Sequence, residues 1–292
     1  MVSIVPAQAG GLAAASLLQA SIAGAESNVG RHLARRGRRV EWMGLVGTDP
    51  FGERILTTLR AQGVHTTHAR TVLSAPTGIM FKEPVGDGRA VYYYRSGSAG
   101  ALLTSGDVAH LASSRSRAIH LTGVTAALSE SCRGALETLL SNDRERSGFT
   151  SFDVNHRPAL WASEAQAAQT LHALASQADL VFVGLDEAEL LWGCTVPEDV
   201  RLTLGAPGTL VVKNGAVGAT AFTRRCDGTD SVTFSPSALV DVVDAVGAGD
   251  AFAAGYLDAR LEGLDVAACL QAGHVIAASV LGSLLDTPEV GR

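Results

Sequence analysis

Cysteine is scarce in this chain, and the four present, Cys132, Cys194, Cys226 and Cys269, stand singly without paired or metal-type spacing. That excludes a disulfide framework or a zinc motif and suits a reducing, cytoplasmic setting. Aromatic residues make up only 5% of the 292 residues, and neither sign of charge gathers into a stripe: 23 basic against 29 acidic side chains give a formal charge of −6. A nucleic-acid partner is not expected, because phosphate-backbone binding needs clustered Lys and Arg. The one basic cluster, Arg35, Arg36, Arg38 and Arg39 around Gly37, follows an apolar helical pattern and reads as a solvated helix C-terminus before a phosphate site. His65 and His68 lack an accompanying Cys or carboxylate cluster and read as loop histidines before a metal pair.

Membrane-directing signals are also missing. Gly11–Ala25 is apolar but has no basic leader and runs into Glu26 and Asn28. Val266–Leu285 approaches the length of a span, yet Gln271, His274 and two serines interrupt it, and Asp265 and Asp286 flank it. A core helix is the expectation, with no membrane partner. There is no internal repeat, low-complexity tract or long linker.

What is present is 47% hydrophobic residues and 32 glycines spread along the whole length, the composition of an Ala/Gly/Val-rich α/β enzyme. From about Ile119 to Ala254, short β-rich runs alternate with helical patterns. Ile119–Thr122, Thr150–Val154, Leu180–Val183 and Leu210–Val212 read as parallel strands. Glu130–Leu140, Ser163–Ser176 and Glu187–Trp192 carry apolar residues at helical spacing. A parallel sheet flanked by helices follows. Thr77–Glu83 and Arg89–Arg95, joined by Gly86-Asp87-Gly88, form a hairpin signal. With the start of the chain it reads as a small β lid, about residues 1–22 and 77–97, within a single domain spanning 1–292.

The most informative stretch runs from Asp241 to Gly255, where a β-branched segment ends in Gly247-Ala248-Gly249 and a helix begins at about Asp250. Small residues there let a ligand reach backbone N–H groups at the positive end of a helix, a ready site for phosphate oxygens. Asp250 beside it can accept a hydroxyl proton and align that oxygen for attack. Alternatively, Asp250 is only a helix N-cap.

Asp244-x-x-Gly247-Ala248-Gly249-Asp250-Ala251-Phe252 resembles the C-terminal signature of the ribokinase-like (PfkB) carbohydrate kinases. Further blocks agree in order: Asn28 in Ala25–Val29, Gly44–Gly52, Leu185–Leu191 and Val212–Gly218. The resemblance implies a Rossmann-like α/β domain, a β lid over the sugar, and ATP with Mg2+ as phosphoryl donor. It makes Asp250 the base and Gly247, Ala248 and Gly249 its anion hole. It assigns Lys213, Gly215, Gly218 and His274 to ATP, Gly24 and Asn28 to the sugar, and Glu187 to magnesium through water. The asparagine expected three positions before Glu187 is Gly184, the usual threonine after Asp244 is Ala245, and Ala23 replaces the first of two glycines.

Tyr92–Ala99 and Phe152–Trp161 resemble the 2-keto-3-deoxygluconate kinases within that family. A sugar acid carries a carboxylate, which guanidinium groups bind with paired charge-assisted bonds. Arg157, past a strand end, is the candidate, with Tyr93 and Arg95 closing from the lid. Structural salt bridges and lid packing are the alternatives for these side chains, and fructose is the alternative substrate, since fructokinases share much of the Arg157 block. In the family a strand ending in Gly and an acidic residue precedes the segment matching Met1–Pro6, so a start late by one strand is expected. These departures leave a non-catalytic sugar-binding protein as the rival reading, against which the retained Asp250 argues. Exposed lid edges suggest a homodimer through the lid.

Overall fold

The computed structural model describes residues 1–8, 10–85, 88–112, 115–141, 148–237 and 247–281. Gly86-Asp87 of the hairpin turn, the run Asp241–Val246 with Asp244, and positions 282–285 of the last apolar segment lie outside the described residues. Two compact units divide the chain, Met1–Leu103 and Thr104–Arg292.

The first unit contains β1 (Val2–Pro6), β2 (Leu18–Ile22), α1 (Ala25–Arg35), β3 (Val40–Glu41), β4 (Leu45–Gly47), α2 (Pro50–Ala61), β5 (Val64–His65), β6 (Arg70–Val72), β7 (Ile79–Val85) and β8 (Gly88–Tyr94). One sheet has the order β2-β1-β7-β8, with β1 parallel to β7 and its other pairings antiparallel. Strand alternation puts Val2, Ile4, Ile22, Ile79 and Phe81 on one face, where they pack with Ile55, Leu56 and Leu59 of α2. Short parallel pairs, β3 with β5 and β4 with β6, complete the unit. After α1, Arg36 and Arg39 are exposed, whereas Arg35 and Arg38 are half-buried, so only part of the basic cluster is solvated.

The Gly44–Gly52 block turns out to build this unit. Asp49 caps α2, accepting from the Phe51 and Gly52 amides at 3.0 and 2.9 Å, with Pro50 starting the helix. Its other oxygen accepts from Thr77 N at 2.8 Å, tying the cap to the segment entering β7. A Cβ on Gly47 would come within 2.2 Å of that carboxylate, and one on Gly52 within 2.2 Å of Gly47 O.

The second unit contains α3 (Ser105–Ala112), β9 (Ala118–Thr122), α4 (Gly123–Leu128), α5 (Glu130–Leu140), β10 (Phe149–Asp153), α6 (Glu164–Ala175), β11 (Leu180–Gly184), α7 (Leu185–Trp192), α8 (Pro197–Thr203), β12 (Thr209–Asn214), β13 (Gly218–Arg224), β14 (Asp230–Pro236), α9 (Ala248–Glu262) and α10 (Val266–Leu281). Strands β9 to β12 are parallel, as the β-branched runs predict. Every residue of β11 is buried, as befits a strand covered on both faces. The antiparallel strands β13 and β14 extend this parallel sheet at one edge, giving the mixed order β14-β13-β12-β11-β10-β9. Helices α9 and α10 approach closely because Gly255 and Gly273 leave room. A Cβ on Gly255 would lie 2.4 Å from Ala272 O, and one on Gly273 would lie 2.8 Å from the Phe252 ring. No helix among the described residues is long and apolar enough to cross a membrane.

Candidate active site

Helix α9 begins two residues earlier than its sequence suggests. Gly247, at φ 84°, is its N-cap, and Asp250 is the third helical residue. Asp250 is therefore not the N-cap, and the cap residue offers no side-chain acceptor. Because helical bonds begin with Ala251 N to Gly247 O, at 2.9 Å, the N–H groups of Ala248, Gly249 and Asp250 have no intrahelical acceptor. This is the geometry of an anion-binding turn.

Asp250 is buried, with 8% of its surface exposed, and its Oδ1 accepts from Asn155 Nδ2 at 3.2 Å. Asn155 lies two residues beyond β10 and adopts φ 39°, the one positive φ among described non-glycine residues. At the end of β10, Asp153 is 1% exposed and holds Lys213 Nζ at 2.9 and 3.1 Å. Lys213 comes from β12, and its ammonium lies against Gly249, 3.5 Å from where a Cβ would stand. Burial alone would pull the Lys213 pKa down, but the charges of Asp153, Glu187 and Asp250 outweigh it and push it up. The ammonium is thereby held charged beneath the start of α9.

Glu187, in the first turn of α7, uses one oxygen to accept from Gly184 N at 2.8 Å and the other to accept from His156 N at 2.9 Å. It fixes the chain after β10 to the start of α7. Burial raises its pKa, with Lys213 opposing. Gly184 has no side chain to cap α7, and a Cβ there would meet Asp186 Oδ1 at 2.4 Å, so the departure from asparagine suits this local geometry.

Arg157 follows in the same loop and is exposed, donating from Nη1 to His156 O at 3.1 Å. Among the described residues no carboxylate forms an ion pair with it. Gly215, at φ 46°, turns the chain between β12 and β13, and no described residue lies within 4 Å of where its Cβ would be. Gly218 has a structural reason to be glycine, since a Cβ would come within 2.3 Å of Ser235 O. His274, on α10, lies 5.1 Å from the Phe252 ring centre and donates from Nε2 to Ser235 O at 3.0 Å. A carbonyl can only accept, so the proton sits on Nε2, and burial keeps the ring toward its neutral form.

The remaining sequence candidates belong to the first unit. Gly24, at φ 152°, precedes α1 and accepts from Asn28 N at 2.8 Å, and Asn28 is buried in that first turn. Tyr93 pairs with Met80 across β8 and β7, and Arg95 directly follows β8. The structure thus joins Asp250, the α9 turn, Lys213 and Glu187 in one cluster. It adds Asp153 and Asn155, to which sequence reasoning assigned no role. Their signal was the Asp-x-Asn spacing at a strand end, the side of a parallel sheet where ligands bind.

A family model described as pfkB family carbohydrate kinase matches residues 2–288. The chain is 38% identical over 275 residues to 2-dehydro-3-deoxygluconokinase of Bacillus subtilis (strain 168), covering 92% of this chain and 83% of that one. It is 32% identical over 262 residues to Fructokinase-1 of Oryza sativa subsp. japonica, covering 88% and 79%. Among solved structures, a PfkB protein from Polaromonas sp. JS666 superposes with a TM-score of 0.86 at 34% identity, covering 97% of this chain and 93% of that one.

Proposed function

The chain belongs to the pfkB family of carbohydrate kinases, and on that premise we propose that it transfers the terminal phosphoryl group of ATP to a hydroxyl of 2-keto-3-deoxygluconate. The observation that carries this reading is the placement of Asp250, a buried carboxylate in the first turn of a helix that opens on a glycine turn. Asp250 accepts the proton of the attacking hydroxyl and holds its oxygen in line. The amides of Ala248, Gly249 and Asp250 bind the charge that develops on the transferring phosphoryl oxygens. Lys213, locked to Asp153, keeps a positive charge under the turn. Gly215 and His274 border the strand ends where the nucleotide lies in this reading.

The donor set suits magnesium only indirectly. Both Glu187 oxygens already accept backbone N–H bonds, and Asp153 is spent on Lys213, so the ion would be held by the phosphates with Glu187 bonding one of its waters. When bound, it neutralises charge on the triphosphate.

The sugar-acid assignment rests on Arg157, whose guanidinium is exposed and has no carboxylate partner among the described residues, and on the 38% identity to the Bacillus subtilis enzyme. Gly24 and Asn28 at the start of α1, with Tyr93 and Arg95 from the lid ribbon, supply the other substrate contacts in this proposal. Free cysteines among the described residues support a cytoplasmic setting in this reading. A second copy pairs through the lid, where Tyr92 and Tyr94 are exposed, and sedimentation tests that pairing. ATP consumption measured across a panel of sugars and sugar acids tests the function. The proposal expects the highest kcat/KM on 2-keto-3-deoxygluconate; preference for fructose would replace the substrate, and no turnover on any sugar would refute the proposal.

A further inference from the structure

We propose that Asn155 is a positioning residue for the base, one that fixes the rotamer of Asp250 and favours its ionised form. The inference rests on the kinase reading of Asp250 given above. Asn155 Nδ2 donates to Asp250 Oδ1 at 3.2 Å, joining two side chains 95 positions apart in the chain. Both are more than nine-tenths buried, where a hydrogen bond to a carboxylate restrains it far more than in water.

Two further observations separate this contact from routine core packing. The backbone of Asn155 is in the left-handed region at φ 39°, a conformation that Asn tolerates better than most residues and that persists where surrounding contacts enforce it. Those contacts are visible: Asn155 N donates to Asp153 Oδ1 at 3.3 Å, and the next amide, His156 N, is held by Glu187. The loop is thus clamped so that the Asn155 amide reaches Asp250. At its other end, Asn155 Oδ1 is buried and has no hydrogen-bond partner among the described residues. Among the described residues this amide bonds only at the end that faces the base.

The charged groups around Asp250 among the described residues are Lys213 on β12, with Asp153 on β10 and Glu187 on α7 balancing that ammonium. Asn155 is the neutral member of this set. A carboxylate in its place would stand directly against Asp250 and disfavour ionisation of the base. Activity that requires an ionised Asp250 falls as pH drops through its pKa, so raising that pKa moves the acid limb of the rate profile upward.

The test is kcat/KM against pH, with 2-keto-3-deoxygluconate and fructose as acceptors and ATP as donor, for the wild type, Asn155→Asp, Asn155→Gly and Asp250→Asn. Asn155→Asp keeps the shape, and Asn155→Gly keeps the left-handed backbone while removing the amide. For both Asn155 variants kcat is expected to fall roughly 10- to 100-fold, the scale of a misplaced catalytic group. The KM for ATP should stay within about twofold, and the acid limb should move up by about one pH unit, more in Asn155→Asp. Folded Asn155→Gly with wild-type kcat and an unmoved acid limb, while Asp250→Asn is inactive, would overturn the positioning role and leave the base standing. Full activity in Asp250→Asn would overturn both.

Discussion

Lys213 Nζ lies 2.9 Å from Asp153 Oδ2, joining β12 to β10 across the intervening strand β11 at the ends that face the start of α9. Only 1% of the Asp153 side chain and 18% of the Lys213 side chain is exposed. Breaking such a pair leaves a buried charge unpaired, which costs about 3–5 kcal/mol. Lys213→Met is therefore expected to lose that much stability in urea unfolding, and the double variant Lys213→Met/Asp153→Asn to regain a good part of it. If Lys213 served ATP alone, the single variant would weaken ATP binding with the unfolding curve unmoved.

Two glycines of α9 separate function from packing. Among the described residues a Cβ at Gly249 would meet only Lys213 Nζ, at the ordinary contact distance of 3.5 Å, whereas at Gly255 it would press on Ala272 O at 2.4 Å. Gly249→Ala is expected to fold with an unchanged or slightly raised Tm and to lose roughly tenfold or more in kcat, because its methyl narrows the approach to the turn amides. Gly255→Ala is expected to lose about 1–3 kcal/mol of stability from overpacking, with kcat per folded molecule retained. Thermal melts beside turnover numbers check both.

Arg157 selects the substrate in the proposed reading. Since the only hydrogen bond of its side chain among the described residues is to the neighbouring His156 carbonyl, Arg157→Ala should leave the fold intact. It should cost about 2 kcal/mol, roughly 30-fold, in kcat/KM for 2-keto-3-deoxygluconate. The KM for ATP and activity on neutral hexoses should change little. Equal losses for acid and neutral acceptors would remove Arg157 from carboxylate recognition.

Where local chemistry fixes local structure, the sequence was readable. The all-apolar run Leu180–Val183 could only be a strand buried on both faces, and Gly247-Ala248-Gly249 announced an amide-lined helix start. The edge hairpin β13–β14 went unread although Asp227-Gly228 marks its turn, because β14 alternates half-buried and exposed residues and its exposed Val232 and Phe234 blur the pattern. The start of α9 was placed two residues late because Asp is a common N-cap and Gly247 caps through φ alone. The links of Asp153 to Lys213 and of Asn155 to Asp250 bridge 60 and 95 positions. Pairings of that span are made by the sheet order, and no local pattern encodes them.

The central claim is that Asp250 is the base. Asp250→Asn keeps the side-chain size at the third residue of α9 and removes the proton acceptor, so the measurement is its kcat with 2-keto-3-deoxygluconate and ATP, on protein whose Tm matches the wild type. The account predicts a fall of roughly 10²–10⁴ in kcat, the range for loss of a general base, with ATP bound as tightly or more tightly once a negative charge near the triphosphate is gone. Near-normal turnover in the folded variant would contradict it.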